Sequence, residues 1–245
     1  MAAPTVLTNA TIWYGGYDLI GATNEITMNA ASAEKPVSRF GDTVEATYPG
    51  AMTVGVEAKG FWDSALDGPQ FTQLTAPSES WPLTICPTGA DDTELAYGIQ
   101  AYSFNYSALE SQWGQSLPYR VSARARSGST LARGSVLLPK GTRTSQTESA
   151  HRLLGAVSAT QKLVATLHVF AIDGGGSWAP FVMSDPDAAP AGHTARVTFA
   201  PVTTAPTQQV IKTNGPITDT YWFAFITKTG GTSLTAAMTL AIVDA

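Results

Sequence analysis

Charge is scarce in this sequence: only 13% of its 245 residues are Asp, Glu, Lys or Arg, whereas 44% are hydrophobic. A disordered chain shows the opposite balance, because high charge and low hydrophobicity prevent a core from forming. The length fits one large all-β domain or two smaller ones, each long enough to bury a core. The composition therefore predicts a folded protein of low charge.

Cysteine and long apolar runs are also nearly absent. The one cysteine, Cys86, cannot form an intrachain disulfide, and its apolar neighbours (LTIC) favour a buried side chain in a reducing compartment over a reactive thiol. No run approaches the ~18 apolar residues of a membrane helix, and the N-terminus (MAAPTVLTNA) lacks both a basic and an apolar region. We expect a soluble chain with no membrane partner and no secretory leader.

Catalytic patterns are missing as well. There is no G-x-S-x-G elbow and no G-x-x-x-x-G-K-[ST] phosphate loop, and no histidine has an acid or cysteine at metal-ligand spacing. The three histidines are His151, His168 and His193. The acids Asp91, Asp92 and Glu94 form either a calcium-binding cluster or a solvated turn. The solvated turn is favoured, because the spacing of an EF-hand loop and its glycine are missing. We predict no catalytic residue, no metal site, no cofactor and no enzyme activity.

What the sequence has in abundance is a period of two. Met52, Val54, Val56 and Ala58 alternate with more polar residues, as expected of a strand with one buried face. The same pattern covers 25–30, 81–86, 95–104, 119–126, 131–138, 163–172, 195–199, 221–227 and 234–243. Many short strands separated by glycine-rich turns predict an all-β fold of sandwiches or barrels. Short helices are expected only at 106–113 and 148–154.

The polar segment 139–149 (PKGTRTSQTES) lacks alternation and reads as a linker. It would separate a first β domain at 1–140 from a second β-sandwich domain at 150–245. Residues 64–118, rich in Pro, Trp and Tyr, match no pattern that we can assign to a function.

Charge is distributed unevenly along the chain. Residues 1–118 carry 13 acids against 3 bases, 119–152 carry 7 bases against 1 acid, and 153–245 carry 4 bases against 5 acids. Arg120, Arg124 and Arg126 would lie on one strand face, where they form either a nucleic-acid patch or a surface that meets an acidic face of a neighbouring copy. No aromatic residue interleaves with these arginines as stacking on single strands would require, which favours the neighbouring copy.

Several segments carry a resemblance to a known family. They are GYDLIG (16–21), NEITM (24–28), RFGDT (39–43), Pro49-Gly50 and VEAKGFWD (56–63). This series resembles the N-terminal half of the major tail tube proteins of long-tailed bacteriophages. The segments LGAV (154–157), QKL (161–163) and GPITDTYW (215–222) resemble the C-terminal half of predicted phage tail proteins of similar length.

The resemblance implies a structural virion protein, made in the host cytoplasm and built into the phage tail. It implies a tail-tube-like β-sandwich or barrel followed by an outward-facing C-terminal β-sandwich. It also implies homohexameric rings that stack into a tube beside other tail proteins, with genomic DNA passing non-specifically through the lumen during ejection. A mildly acidic subunit suits this role, because a negative lumen repels phosphate. A capsid decoration protein or a carbohydrate-binding tail appendage is the alternative.

The family also implies that the loop after the second strand reaches a neighbouring subunit, which here is roughly 32–49. Within it, Phe40 would be an apolar anchor and Gly41 would allow a backbone conformation closed to other residues. Asp42 and Thr43 would satisfy local backbone donors. The alternative is a tight turn with a buried Phe. The candidate interface residues are Arg39, Phe40, Gly41, Asp42, Thr43, Arg120, Arg124 and Arg126.

Overall fold

A computed structural model describes residues 10–21, 23–37, 47–63, 79–108, 116–188 and 192–245. The regular secondary structure of these residues consists entirely of β-strands, which confirms the all-β prediction. The strands of the first half are β1 (Thr11–Tyr14), β2 (Tyr17–Asp18), β3 (Thr23–Pro36), β4 (Thr47–Phe61), β5 (Trp81–Cys86), β6 (Leu95–Ala108) and β7 (Pro118–Ala125). Those of the second are β8 (Ala132–Arg143), β9 (Thr147–Glu148), β10 (Arg152–Leu153), β11 (Gln161–Asp173), β12 (Gly176–Asp185), β13 (Thr194–Thr198), β14 (Thr207–Asn214), β15 (Tyr221–Gly230) and β16 (Ser233–Asp244).

The helix expected at 148–154 is wrong, and so is the start of the one at 106–113. Residues 106–108 belong to β6, and the segment 148–154 contains the end of β9 and all of β10. Both short strands pair with β15, with Phe225 opposite Glu148 and Trp222 opposite Arg152. Sheet pairing with a distant strand has overridden a weak local helix preference.

The chain forms two compact units, each assembled from separate segments. The larger unit comprises Met1–Gly21, Trp81–Gln100 and Thr130–Ala245, and the smaller unit comprises Ala22–Ser80 and Ala101–Ser129. The boundary expected near 140–150 lies inside the larger unit. The expected linker is wrong in part, since β8 runs to Arg143 and pairs with β16 as far as Leu234. Polar residues at 139–143 did not reveal a strand because this stretch alternates little.

The larger unit has two antiparallel sheets. One follows the order β14-β11-β16-β8 and continues to the start of β6, then β5, β1 and β2; the other follows β10-β15-β12-β13, with β9 also on β15. Their facing sides share a core that includes Leu163, Leu167, Trp178, Trp222 and Met238, each at most 1% exposed. This is the sandwich arrangement in which inward-facing residues of both sheets interdigitate.

The opposite face of β11 and β16 is buried too. There Trp13, Cys86, Val136 and Ala237 form a second cluster. With both faces covered, β11 is buried without interruption from Leu163 to Val169, the continuous apolar pattern expected of a strand covered on both sides.

His168 anchors this second face. Its Nε2 lies 2.8 Å from Oγ1 of Thr84, and its Nδ1 contacts the carbonyl oxygen of Gly15. A carbonyl can only accept, so Nδ1 carries the proton and Nε2 accepts from the Thr84 hydroxyl. Complete burial lowers the pKa of His168 to about 4, because desolvation disfavours the imidazolium. This histidine is a neutral structural group that ties β11 to β5 and to the turn after β1.

The smaller unit is a four-stranded antiparallel sheet with the order β3-β4-β7-β6, where β6 contributes its second part. One face buries Val54, Val56 and Ala58 of β4 with Val121 and Ala123 of β7. Alternation along β4 and β7 therefore predicted the buried face of this sheet correctly.

Candidate assembly surface

The β3–β4 hairpin extends beyond the sheet to which it belongs. Strand β7 pairs with β4 only from Gly55 to Phe61. The preceding part of β4 pairs with β3 alone among the described residues, from Ala30 opposite Val54 to Pro36 opposite Thr47. We call residues 30–36 and 47–54 the ribbon. It has two strands, and no third strand in the described chain covers it.

Local interactions shape the ribbon. The Ser32 hydroxyl donates to the carbonyl of Gly50 at 2.9 Å, and the Thr53 hydroxyl donates to the carbonyl of Ala31 at 3.2 Å. A bulge interrupts the register between Ser32 and Glu34. A Cβ at Gly50 would lie 2.9 Å from the carbonyl oxygen of Ala33, so the close approach of the strands here requires glycine.

The ribbon exposes large apolar side chains. Tyr48 is 66% exposed and Met52 is 55% exposed, and residues 30–35 of β3 are exposed as well. Met52 continues the alternation of Val54 and Val56, so the sequence pattern predicted that its side chain would be buried. It lies in the open because β7 ends before reaching it. A two-stranded ribbon that no third strand extends is at best marginally stable in water.

A second apolar patch lies at the other end of β4. Phe61 is 52% exposed and Leu117 is 38% exposed. They are held together because Phe61 pairs with Pro118, and the Trp62 backbone N–H donates to the Leu117 carbonyl at 2.7 Å. At the usual rise per residue, the thirteen steps between Tyr48 and Phe61 span roughly 45 Å. The two apolar patches therefore lie far apart on the same unit.

Between the patches, the solvent face of the sheet carries paired charges. Lys59 lies 2.7 Å from Glu25 and 3.7 Å from Glu57, and Arg120 lies 2.5 Å from Glu57. The hydrogen bond that the Lys59 ammonium donates to Glu25 raises the pKa of Lys59. Each of these two bases is thus matched to a carboxylate of its own chain.

The structure describes three of the eight predicted interface residues. Arg120 and Arg124 lie on β7 with exposed side chains, and Arg120 is engaged with Glu57. Arg126 follows the end of β7 and donates from Nη1 to the Ser80 hydroxyl at 3.4 Å. Arg39, Phe40, Gly41, Asp42 and Thr43 lie outside the described residues, so their role at a subunit interface stays a prediction. Sequence reasoning missed Tyr48, Met52, Phe61 and Leu117, because alternation does not reveal where a neighbouring strand stops.

Other kinds of site have little support in the described residues. Among them, no group of three or more His, Cys, Asp or Glu side chains is arranged to hold a metal ion. The same residues contain no helix that could cross a membrane. Asp92 of the acidic turn pairs with Arg152, and Glu94 accepts a hydrogen bond from Thr88, so both acids have partners within the protein.

No protein-family model matches the chain, and no curated protein matches it significantly. The sheath/tube terminator of an extracellular contractile injection system, PVC, aligns with 51% of this chain and 94% of its own, at 10% identity and a TM-score of 0.42. The SPP1 tail tube protein aligns with 50% and 76%, at 11% identity and a TM-score of 0.40.

The SPP1 Dit protein, from the hub adsorption apparatus of phages that infect Gram-positive bacteria, aligns over more of the chain. The alignment covers 96% of this chain and 99% of the Dit chain, at 11% identity and a TM-score of 0.35. These three structural neighbours are tail tube, tube terminator and hub proteins of phages and phage-like particles.

Proposed function

We propose that this chain is a structural subunit of a phage tail tube, which assembles into stacked hexameric rings around a channel for DNA. The ribbon carries the proposal. It exposes Tyr48 and Met52 on a two-stranded hairpin that pairs with no third strand in the described chain. Burial by another subunit would stabilise a segment that is marginal in water.

The occupant that we infer for the ribbon is a second copy of the same chain. The smaller unit carries one apolar patch at each end of β4, with Tyr48 and Met52 at one end and Phe61 and Leu117 at the other. When two different patches of one subunit fit each other, copies join head to tail, and such contacts form rings or open filaments. A stacked tube needs contacts of this type.

The unpaired edge of β3 offers a lateral contact. This 14-residue strand pairs only with β4 among the described residues, so a row of backbone groups on its other side is available. A long exposed edge is a template for pairing with another chain. A neighbouring copy in the same ring would extend the sheet there and remove the open edge.

The paired charges between the two apolar patches suit the wall of a channel through which DNA passes without binding tightly. Lys59 and Arg120 are both matched to carboxylates of their own chain. Neutralised bases release few counterions from DNA and therefore give little non-specific affinity. If this face lines the channel, DNA would slide past it without binding tightly.

The experiment compares the wild-type chain with the double variant Tyr48→Ser/Met52→Ser by negative-stain microscopy and sedimentation velocity. A buried aromatic anchor is typically worth ~2 kcal/mol or more at an interface, so the double variant is expected to stay monomeric while the wild type forms rings or tubes. Leu153→Ser is the matched control, because Leu153 is as exposed as Tyr48 but belongs to the larger unit.

Circular dichroism of the double variant should match that of the wild type, since both side chains are exposed. Wild-type protein that remains monomeric under all conditions would contradict the proposal. So would a double variant that assembles as well as the Leu153→Ser control. Isolated trimers instead of tubes would point to the capsid decoration alternative.

A further inference from the structure

The larger unit contains a groove that the tube role does not use. One cavity of about 410 Å³ is bordered by the turn at Thr93, by β8 around Ser135, and by residues 151–154. A second, of about 360 Å³, shares Thr93, Ser135 and Leu154 with the first and extends along β16. Each volume lies within the roughly 300–1,000 Å³ typical of small-molecule sites.

The wall of the groove is held rigidly at its turn. The Thr93 backbone N–H donates to the Val136 carbonyl at 3.1 Å, and the Val136 N–H donates to the Glu94 carbonyl at 2.9 Å. Thr93 has a φ of 76°, an unusual conformation for a β-branched residue. Such strain persists only where the surroundings over-determine it, and it is common at ligand sites.

Three hydroxyl groups line the groove without partners. The side chains of Thr93, Ser135 and Tyr221 form no hydrogen bond to any residue that the structure describes. Leu95 and Leu154, both partly exposed, supply apolar surface beside them. A surface of this kind suits a ligand that carries many hydroxyls on a ring with an apolar C–H face.

Apart from Tyr221, the ionisable side chains that line the groove are all of the basic residue types. They are Arg133, His151 and Arg152, and no acidic side chain lines either cavity in the described chain. Arg152 pairs with Asp92, whereas Arg133 is exposed and forms no salt bridge to a described residue. In a protein of net charge −5, a groove without lining acids favours an anionic ligand.

We propose that this groove binds an acidic saccharide. The sugar carboxylate would pair with the Arg133 guanidinium, and the sugar hydroxyls would bond to Thr93, Ser135 and Tyr221. The apolar ring face would rest on the leucines. The proposal concerns the larger unit alone and does not depend on assembly of the smaller one.

Isothermal titration with three probes tests the ligand class: a glucuronate oligosaccharide, the matched neutral glucose oligosaccharide, and benzoate. We expect binding of the glucuronate oligosaccharide and at least about tenfold weaker binding of the other two, because the neutral sugar lacks the carboxylate and benzoate lacks the hydroxyls. Equal binding of the neutral sugar would overturn the role of Arg133. Equal binding of benzoate would overturn the saccharide assignment, and no binding of any probe would overturn the site.

Variants locate the site. Arg133→Gln is expected to weaken glucuronate binding by about tenfold or more, and Ser135→Ala by about twofold to tenfold. Arg126→Gln, which removes an exposed arginine from the smaller unit, is the matched control and should leave binding unchanged. Thermal melting confirms that each variant is folded. Equal loss of binding in the control would show that only net charge matters and would overturn the groove as the site.

Discussion

The guanidinium of Arg120 lies 2.5 Å from the carboxylate of Glu57 on the adjacent strand of the same chain. Glu57 Oε1 accepts no well-aligned hydrogen bond, so the contact is an ion pair. Both side chains are partly exposed, and exposed pairs contribute only about 0–1 kcal/mol. An arginine predicted to meet a neighbouring copy therefore has an acid within its own subunit that competes for it.

Charge reversal separates the two roles of Arg120. Arg120→Glu should lower the free energy of unfolding by about 1 kcal/mol or less, and Glu57→Arg in the same chain should restore it. Urea unfolding measures the stability, and sedimentation velocity measures assembly. If the double variant recovers stability but not assembly, Arg120 also contacts another copy. Recovery of both would limit the pair to its own sheet.

His168 predicts acid sensitivity of the larger unit. Its folded pKa is about 4, below the ordinary value of 6.5, so the unfolded chain binds more protons between these values. The contribution to stability is complete above pH 6.5 and is lost as the pH falls towards 4, by roughly 3 kcal/mol at most. Urea unfolding between pH 4 and 8 measures this slope.

NMR titration of the His168 imidazole in the wild-type chain provides the check that does not require a variant. A midpoint near 6.5 in the folded protein would contradict the buried, neutral state. The imidazole of folded His168 should show no transition down to about pH 5, while stability falls over the same interval because the unfolded chain takes up the proton. Stability that stays constant between pH 7 and pH 5 would contradict this linkage.

Cys86 is expected to be inert in the folded protein. It is fully buried, and desolvation raises the pKa of its thiol to about 12. Compared with a thiol of ordinary pKa 9.0, the thiolate fraction at neutral pH is roughly a thousandfold lower. Iodoacetamide labelling followed by mass spectrometry should detect no adduct in the native protein and complete reaction in guanidinium chloride. Rapid labelling of the native chain would disprove the burial of this thiol.

Much of the strand pattern could be read from the sequence, because alternation at Val54, Val56 and Ala58 reports directly on a half-buried sheet. The end of β7 could not be read in this way. Met52 has the same alternation as Val54, and only the pairing partner decides that one is exposed and the other buried. The division of the chain into two units could not be predicted from the sequence either. The smaller unit is formed by two insertions, and contacts between segments distant in sequence leave no local signal.

A cut near Lys140 should disrupt the fold on both sides of it. A cut near Lys140, as the expected domains 1–140 and 150–245 require, separates β8 from β16, which pair along Ser135 to Arg143. The first fragment would lose the strand beside β8 and the core around Leu137 and Leu138, and the second would lose β8 itself. We expect both fragments to aggregate, because each exposes an unpaired edge and apolar core residues.

Removal of the smaller unit should leave a folded protein instead. Tyr17 stacks on Trp81 with ring centroids 6.0 Å apart, and Gly98 pairs with Ala132. At each of the two junctions, the two chain ends left by the removal therefore lie near each other. Short Gly-Ser linkers can therefore join Gly21 to Trp81 and Gln100 to Thr130. We expect this chain to be a soluble monomer with a cooperative thermal transition and no rings or tubes. The opposite result would be soluble, cooperatively melting fragments from the cut near Lys140 together with an aggregated larger unit. It would show that the boundary expected from the sequence near 140–150 divides the protein correctly.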